Sequence, residues 1–277
     1  MTSPDESQAA QVSMAARPSG ILDRMTMIRW LVAVWVRRDF SVRYRQSALG
    51  VTWSLIQPLF LLAVYGLVFT QVLRVGPKGV SYPVFAFTGL APWAFVSRAV
   101  GSGVSSILGA QSVVSKVWFP REVVPIAAVG VGIVDMGMST AVLLVASALL
   151  GTGWHWAMLC IPLAYAGLIL IVSAIVIVGS ALAVFARDLL QAVPLLLQLV
   201  FIATPIMYDA SRVSKKTRFI YDANPLAHTV AVVREAVLFG RWPSAWQIAV
   251  PILIGCGLLV LALAYMRSVE DRFIDVI

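Results

Sequence analysis

The sequence predicts an all-α integral membrane protein. Of its 277 residues, 60% are apolar and only 12% are charged, and the apolar residues occur in runs of about 20. Soluble domains are usually about 45–50% apolar and about 25% charged. The composition therefore excludes a soluble enzyme core, a disordered chain and a disulfide-stapled secreted module, and the length leaves no room for a soluble catalytic domain.

Six apolar runs are candidate membrane spans, because about 20 apolar residues in a helix cross a bilayer. They are 54–73, 84–107, 123–150, 157–185, 190–208 and 246–266. The polar triplet Ala186-Arg187-Asp188 separates the fourth run from the fifth. Pro194 and Pro205 make the fifth the least regular, and a re-entrant fifth segment would move the C-terminus to the other side.

Two elements precede the first span. Residues 1–20 are polar and lack the apolar core of a signal peptide, which predicts a disordered cytoplasmic tail. Residues 21–45 predict an amphipathic helix at the membrane surface, acting as an anchor or as a gate or lipid-guiding element. Its apolar residues share one face at a period of 3.6, and they are Ile21, Met25, Ile28, Val32, Trp35 and Val36.

The positive charges predict the orientation. A dense cluster of arginines precedes the first span, which places the N-terminus in the cytoplasm, and six spans return the C-terminus to the same side. Residues 209–245 oppose this topology, since six basic residues would lie outside, but the rule weakens for longer loops. The net charge of +8 is spread around the apolar runs, which argues against a nucleic-acid partner.

Two segments between the spans have helical or interfacial character. Trp118 and Phe119 suit a water interface, and Pro120 stops the preceding helix. This stretch is either a cytoplasmic turn with interfacial anchors or a docking knob for a cytoplasmic partner. Residues 226–239 read as a helix too short and too charged to span, which predicts interfacial or re-entrant helices in the outer loop.

Motifs for chemistry are missing. The sequence has no G-x-x-x-x-G-K-[ST] phosphate loop, no paired carboxylates and no histidines at metal-ligand spacing. Gly130-Val131-Gly132 lies within a span, where helix packing through small residues is the favoured interpretation. We therefore expect no enzyme activity and no cofactor in this chain by itself.

Arg98 and Asp135 are the ionisable residues within the six runs. Each costs about 2.5–3.5 kcal/mol at a lipid-facing helix centre, so both should face protein or water. Ser139 lies one turn after Asp135 and could hydrogen-bond its carboxylate. The alternative is that Asp135 lines a polar route.

Five motifs, in order along the chain, resemble those of Wzm-type permease subunits, which belong to ATP-binding-cassette (ABC) exporters of polysaccharides and polyol phosphates. The resemblance runs from about residue 25 to the C-terminus. The motifs are Arg43-Tyr44-Arg45-Gln46-Ser47-Ala48-Leu49-Gly50 followed by Trp53 and Gln57-Pro58, then Phe119-Pro120-Arg121-Glu122, Ala186-Arg187-Asp188, Thr204-Pro205-Ile206-Met207-Tyr208, and Asn224-Pro225.

The resemblance implies a homodimer of six-span subunits in the bacterial inner or plasma membrane, with two copies of a cytoplasmic ABC ATPase that binds ATP and Mg²⁺. It implies a gate helix containing Trp30, Trp35, Arg37, Arg38, Arg43, Tyr44 and Arg45. It also implies a coupling region that receives the ATPase stroke, formed by Lys116, Trp118, Phe119, Pro120, Arg121 and Glu122.

The implied cargo is a lipid-linked polysaccharide of the O-antigen or cell-wall galactan type, with teichoic acid as the alternative. A composition rich in Ala, Val and Arg suggests a GC-rich genome and favours a galactan. A membrane scaffold for glycan-assembly enzymes and a lipid-linked sugar transferase remain as hypotheses from other classes. Sugar rings stack on aromatic faces, so we expect a channel lined by some of Tyr65, Phe69, Trp93, Phe95 and Tyr208, together with Asp135.

Overall fold

The computed structural model describes residues 21–44, 49, 52–68, 80–114, 119–150, 153–208 and 224–273. These residues form helices joined by turns and short extended segments, with no strand among them. The predicted tail at 1–20 and most of the loop before Asn224 lie outside the described residues. The all-α class is thereby confirmed for the part of the chain that the structure describes.

Ten α-helices follow one another in the described residues. They are α1 (Ile21–Tyr44), α2 (Trp53–Leu67), α3 (Tyr82–Gly103), α4 (Ser106–Gly109), α5 (Gln111–Val114), α6 (Val123–Leu149), α7 (Ile161–Phe185), α8 (Leu189–Ala203), α9 (Pro225–Phe239) and α10 (Ala245–Val269). A 3₁₀ turn, Trp156–Cys160, leads into α7, and a second, Glu270–Arg272, extends α10.

Among the described residues, four helical segments are long and apolar enough to cross a membrane. They are Tyr82–Gly103, Val123–Leu149, Trp156–Phe185 and Ala245–Arg272. Each coincides with a predicted span, although the span predicted at 84–107 ends early. α3 stops at Gly103 and the short helices α4 and α5 follow, because Gly101-Ser102-Gly103 consists of poor helix formers.

The remaining two predicted spans, 54–73 and 190–208, coincide with shorter apolar helices. α2 and α8 have 15 residues each, which is about 22 Å of helix against a hydrocarbon core of about 30 Å. α8 ends at Ala203 because Thr204 precedes Pro205 and is extended, with φ −96° and ψ 133°. The described residues therefore contain four long and two short apolar helices, where the sequence predicted six full spans.

Glycines let α7 and α10 approach closely along their length. A Cβ added to Gly167 would lie 2.7 Å from the Cβ of Pro251, and one added to Gly255 would lie 2.6 Å from the Cβ of Leu170. Such small residues drive helix association in membranes, where lipid is as apolar as the helices themselves.

The Gly130-Val131-Gly132 stretch serves packing, as predicted. A Cβ on Gly130 would lie 2.6 Å from Val36 on α1, and a Cβ on Gly132 would lie 3.2 Å from Phe95 on α3. The stretch therefore lets α6 contact α1 on one side and α3 on the other.

The apolar face of α1 packs against α6 and the residues before it. Trp35 is buried with Ala110 and Val123, and Ile28, Leu31, Val32 and Val36 pack against the same cluster. Trp30 is 65% exposed, in agreement with its position off the predicted apolar stripe. α1 is described as far as Tyr44, and the last residue of the predicted helix, Arg45, lies outside the described residues.

The glycines of α10 offer a test of this packing. We expect Gly255→Ala to lower the free energy of unfolding by about 1–3 kcal/mol, because the new methyl group overpacks the contact with Leu170. Gly257→Ala is the matched control, since a Cβ at Gly257 meets nothing within 4 Å. Thermal unfolding of the purified protein in detergent measures both, and equal melting temperatures for the two variants would contradict the packing account.

Candidate functional site

An ion pair joins α3 to α6 inside the helix bundle. Nε of Arg98 lies 3.2 Å from Oδ2 of Asp135, and the two side chains are 40% and 15% exposed. The sequence predicted that each residue would face protein or water, but it did not predict that they would face each other. Opposite charges satisfy one another here, which lowers the cost of holding both within apolar helices.

A cavity of about 310 Å³ opens beside this pair, between α2, α3 and α6. Its polar lining comes from Gln57, Ser97, Arg98, Asp135 and Ser139. Its other walls include Pro58, Leu61, Phe87, Leu90 and Trp93. We call it the glutamine cavity. Ser139, the partner suggested by sequence for Asp135, borders the same space.

A second cavity of about 390 Å³ lies on the other side of Arg98. Its polar lining comprises Arg38, Asp39, Arg98, Ser102, Ser105 and Ser106, and its apolar lining includes Trp35, Val124, Ala128 and Val131. We call it the serine cavity. Since Arg98 borders both cavities, polar side chains continue from Arg38 and Asp39 on α1, through the serines after Arg98, to Gln57 on α2. We call the polar lining of the two cavities the polar strip.

Arg38 and Asp39 form the α1 end of this polar strip. Nη2 of Arg38 lies 2.9 Å from Oδ1 of Asp39, and its guanidinium carbon lies 3.8 Å from the centre of the Trp35 ring. The predicted gate-helix residues Trp35 and Arg38 thus border the serine cavity, whereas Trp30 and Arg37 are exposed on α1.

The predicted channel aromatics separate into different environments. Trp93 borders the glutamine cavity, and its ring centre lies 5.0 Å from that of Phe201. Tyr208 is 36% exposed and donates its hydroxyl to the carbonyl of Ile202. Phe95 is fully buried in the core of the chain, so it has no ring face for a cargo and we withdraw it as a channel residue.

A network of hydrogen bonds fixes the chain after α8. Nη2 of Arg234 donates to the carbonyl of Ile206 at 3.0 Å, and the Tyr82 hydroxyl donates to the carbonyl of Met207 at 3.0 Å. Nδ2 of Asn224 donates to Oγ1 of Thr204 at 2.8 Å, while its Oδ1 caps α9 by accepting from Leu226. Two of the sequence motifs, Thr204–Tyr208 and Asn224-Pro225, therefore form one structural unit.

Arg234 holds this unit to α3. Its guanidinium carbon lies 3.8 Å from the centre of the Phe85 ring, and its Nε donates to Oγ1 of the buried Thr88. The sequence predicts residues 226–239 only as a short, charged helix, without a role for Arg234. An arginine among valines was the available signal, because such a residue needs partners from other helices.

The segment before α6 contacts the C-terminal end of α10. Arg121 and Glu122 are both buried; the Arg121 guanidinium lies 5.7 Å from the Phe273 ring, and Arg267 lies 4.0 Å from Glu122. Phe273 is fully buried and also contacts Phe185, with 5.7 Å between ring centres. Phe273 is not among the predicted site residues, and its signal in the sequence was one aromatic within a charged C-terminal stretch.

Phe119 packs inside the chain, with its ring centre 5.8 Å from that of Trp35. Several predicted site residues lie outside the described part of the chain, namely Arg45, Phe69, Lys116 and Trp118. For Arg43, Tyr44 and Tyr65 the structure describes the helical backbone alone.

Residues 31–238 match the family model described as ABC-2 type transporter. This match covers three quarters of the chain, from within α1 almost to the end of α9. The chain belongs to the ABC-2 type transporter family. Since the described residues include four helices long and apolar enough to cross a membrane, it is a multi-pass membrane protein of that family.

This ABC-2 transporter chain is similar to curated relatives over nearly its whole length. A protein of Klebsiella pneumoniae named O-antigen export system permease protein RfbA is 32% identical over 252 residues, covering 89% of this chain and 95% of the relative. A Myxococcus xanthus protein of the same name is 29% identical with the same coverage. The polysialic acid transport protein KpsM of Escherichia coli is 22% identical, over 86% of this chain and 92% of the relative.

The Arg234 network offers a second test. We expect Arg234→Met to lower the free energy of unfolding by about 1.5–3 kcal/mol, because it removes charged hydrogen bonds to Thr88 and to the carbonyl of Ile206. Arg241→Met is the control, since Arg241 is exposed and contacts Glu235 and the Phe239 ring at the surface. Thermal unfolding in detergent measures both, and similar losses for the two variants would show that the network does not hold α9 in place.

Proposed function

We propose that this chain is the transmembrane permease subunit of an ATP-driven ABC exporter that carries a lipid-linked polysaccharide out of the cytoplasm. The observation that carries the proposal is the similarity, over 89% of the chain, to relatives named O-antigen export permeases. The cargo is of the O-antigen or galactan type, and a teichoic acid is the alternative cargo for the same role.

The polar strip supports a transport role. A membrane domain that only anchored other proteins would need no polar side chains between its helices, where each one costs free energy. This chain instead arranges arginine, aspartate, serine and glutamine side chains along two cavities between α1, α2, α3 and α6. Trp93 adds an aromatic face to the same lining, suited to contact with a sugar ring.

A separate ATPase completes the proposal. The sequence lacks the phosphate loop that binds ATP, so the chain needs no cofactor of its own, and ATP with Mg²⁺ binds the partner subunit. The termini and the coupling region from Lys116 to Glu122 face the cytoplasm, where that partner docks.

We also propose that two copies of the chain form the transmembrane unit. α8 buries only Val193, and it exposes Gln191 and Gln198 seven residues apart on one face. Glutamines facing lipid are unfavourable, so this face suits a second copy or a water-filled path. The outer gate is then formed by α9 and the segment before it.

Complementation of a deletion strain, measured as polysaccharide export, tests the proposed function. In a bacterium that lacks its polysaccharide-export permease and ATPase, we expect this chain together with its cognate ATPase to restore polysaccharide at the cell surface. A P-loop variant of the ATPase should leave the polysaccharide inside the cell. Surface polysaccharide that appears equally with the inactive ATPase would contradict an ATP-driven exporter, as a scaffold works without ATP.

Purified proteins test which subunit hydrolyses ATP. We expect no ATP hydrolysis by the isolated chain, because it has no phosphate loop, and we expect hydrolysis when the ATPase subunit is added. Turnover by the isolated chain that survives further purification would contradict the assignment of ATP to another subunit.

Substitutions in the coupling region should impair ATPase docking without impairing membrane insertion. We expect the double variant Trp118→Ala and Phe119→Ala to lose ATPase co-purification or export while inserting normally, because the variant removes the aromatic contacts of this segment. The matched control is Trp154→Ala with Trp156→Ala, two exposed aromatics before α7. Normal export by the Trp118→Ala, Phe119→Ala variant would show that these two aromatics do not dock the ATPase.

A further inference from the structure

Arg98 uses one of its donor groups within the described residues. Its guanidinium makes a single hydrogen bond there, from Nε to Asp135, and its side chain is 40% exposed. Both Nη groups therefore remain available beside the glutamine cavity and the serine cavity. A guanidinium with two available Nη groups has the fork geometry that binds phosphate or carboxylate oxygens.

The serine cavity adds further polar groups beyond Arg98. Oγ of Ser106 is buried and has no hydrogen-bond partner in the part of the chain that the structure describes, and Ser106 borders the cavity. The hydroxyls of Ser102 and Ser105 bond to carbonyls of their own chain, so they line the cavity without closing it. Arg38 stands at the far end of the same lining.

The walls of this cavity indicate what bears the anion. Val124, Ala128 and Val131 line the side formed by α6, so polar and apolar surfaces face one another across the space. A free ion makes no use of an apolar wall. A phosphate group attached to an apolar chain fits both surfaces.

We propose that Arg98 and Ser106 form a binding site, within the membrane domain, for the phosphate group of a lipid. Two sources share this chemistry: the phosphate that links a cargo to its lipid, and the headgroup of a membrane phospholipid. Assigning the cargo as the source rests on the proposed function. The phosphate enters beside Arg38 on α1 and reaches the Nη groups of Arg98.

Asp135 acts in this site as the resident counter-ion. It holds the Arg98 side chain while no phosphate is present, and it competes with a phosphate once one arrives. Arg38 has the same arrangement with Asp39. A cation that already has a carboxylate binds an anion less tightly than a free cation does, which allows the phosphate to leave again.

Lipid binding by the purified chain tests the site. The chain is placed in phosphatidylcholine nanodiscs, and a fluorescent polyprenyl phosphate is titrated in. We expect Arg98→Gln with Asp135→Asn to weaken binding about tenfold or more, because it removes the charged hydrogen bonds while leaving a neutral, paired helix contact. Arg241→Gln, at an exposed position outside both cavities, should bind like the natural chain.

The single variant Asp135→Asn should change phosphate affinity in the opposite direction to the double variant. We expect tighter phosphate binding and slower export, because the competing carboxylate is gone and Arg98 remains. A purely structural ion pair predicts only lower stability for this variant and no gain in affinity. Unchanged or weaker binding by Asp135→Asn, in protein with a native melting curve, would overturn the proposal, as would full binding by the double variant.

Competition identifies the source of the phosphate. Uncharged polyprenol should not displace the probe if the phosphate group is what Arg98 binds, and displacement by polyprenol would overturn the site. Phosphatidylglycerol and unlabelled polyprenyl phosphate are then compared as competitors of the probe. If phosphatidylglycerol displaces the probe equally well, the site binds membrane lipid, and the cargo is overturned as the source of the phosphate. Export by the natural chain is measured separately, so loss of the proposed function and loss of the site give different results.

Discussion

An arginine inside an apolar helix bundle needs a counter-charge or water, and much of the polar architecture depends on how Arg98 meets that need. The 3.2 Å contact with Asp135 pins α3 to α6 at one point. The remaining surface of the guanidinium requires open, polar space, which the glutamine and serine cavities supply. If Arg98 and Asp135 were Leu or Ala, α3 and α6 could pack directly against each other, and the polar lining of the two cavities would be lost.

The same constraint explains the fold at the far end of α8. Pro205 ends the helix, so backbone carbonyls after Thr204 lose their helical partners, and in a membrane domain every such group must be satisfied internally. Arg234 and Tyr82 donate to the carbonyls of Ile206 and Met207. α9 therefore has to remain packed on α3, and the loop motifs at 204–208 and 224–225 are constrained together.

Local features of the sequence predicted the helices well, and pairings between helices poorly. Apolar run length placed four long helices within a few residues, and the 3.6-residue period placed Trp35 on the packed face of α1. Run length could not show that Pro58 and Pro205 accompany short helices. An aromatic in a span has the same local signature whether it borders a cavity, as Trp93 does, or fills the core, as Phe95 does. The Arg98–Asp135 pair and the position of Phe273 depend on which helix faces meet, which periodicity does not encode.

The buried ring of Phe273 links the segment before α6 to the end of α7. It contacts Arg121 before α6 and Phe185 at the end of α7, so neither segment can shift alone without exposing an aromatic ring. α6 begins two residues after Arg121, and Asp135 lies twelve residues further on, about 18 Å along the helix. Because Arg121 is followed directly by α6, a displacement of this segment along the axis of α6 would carry Asp135 with it. The contact that neutralises Arg98 therefore lies on the helix that a push on this segment would move.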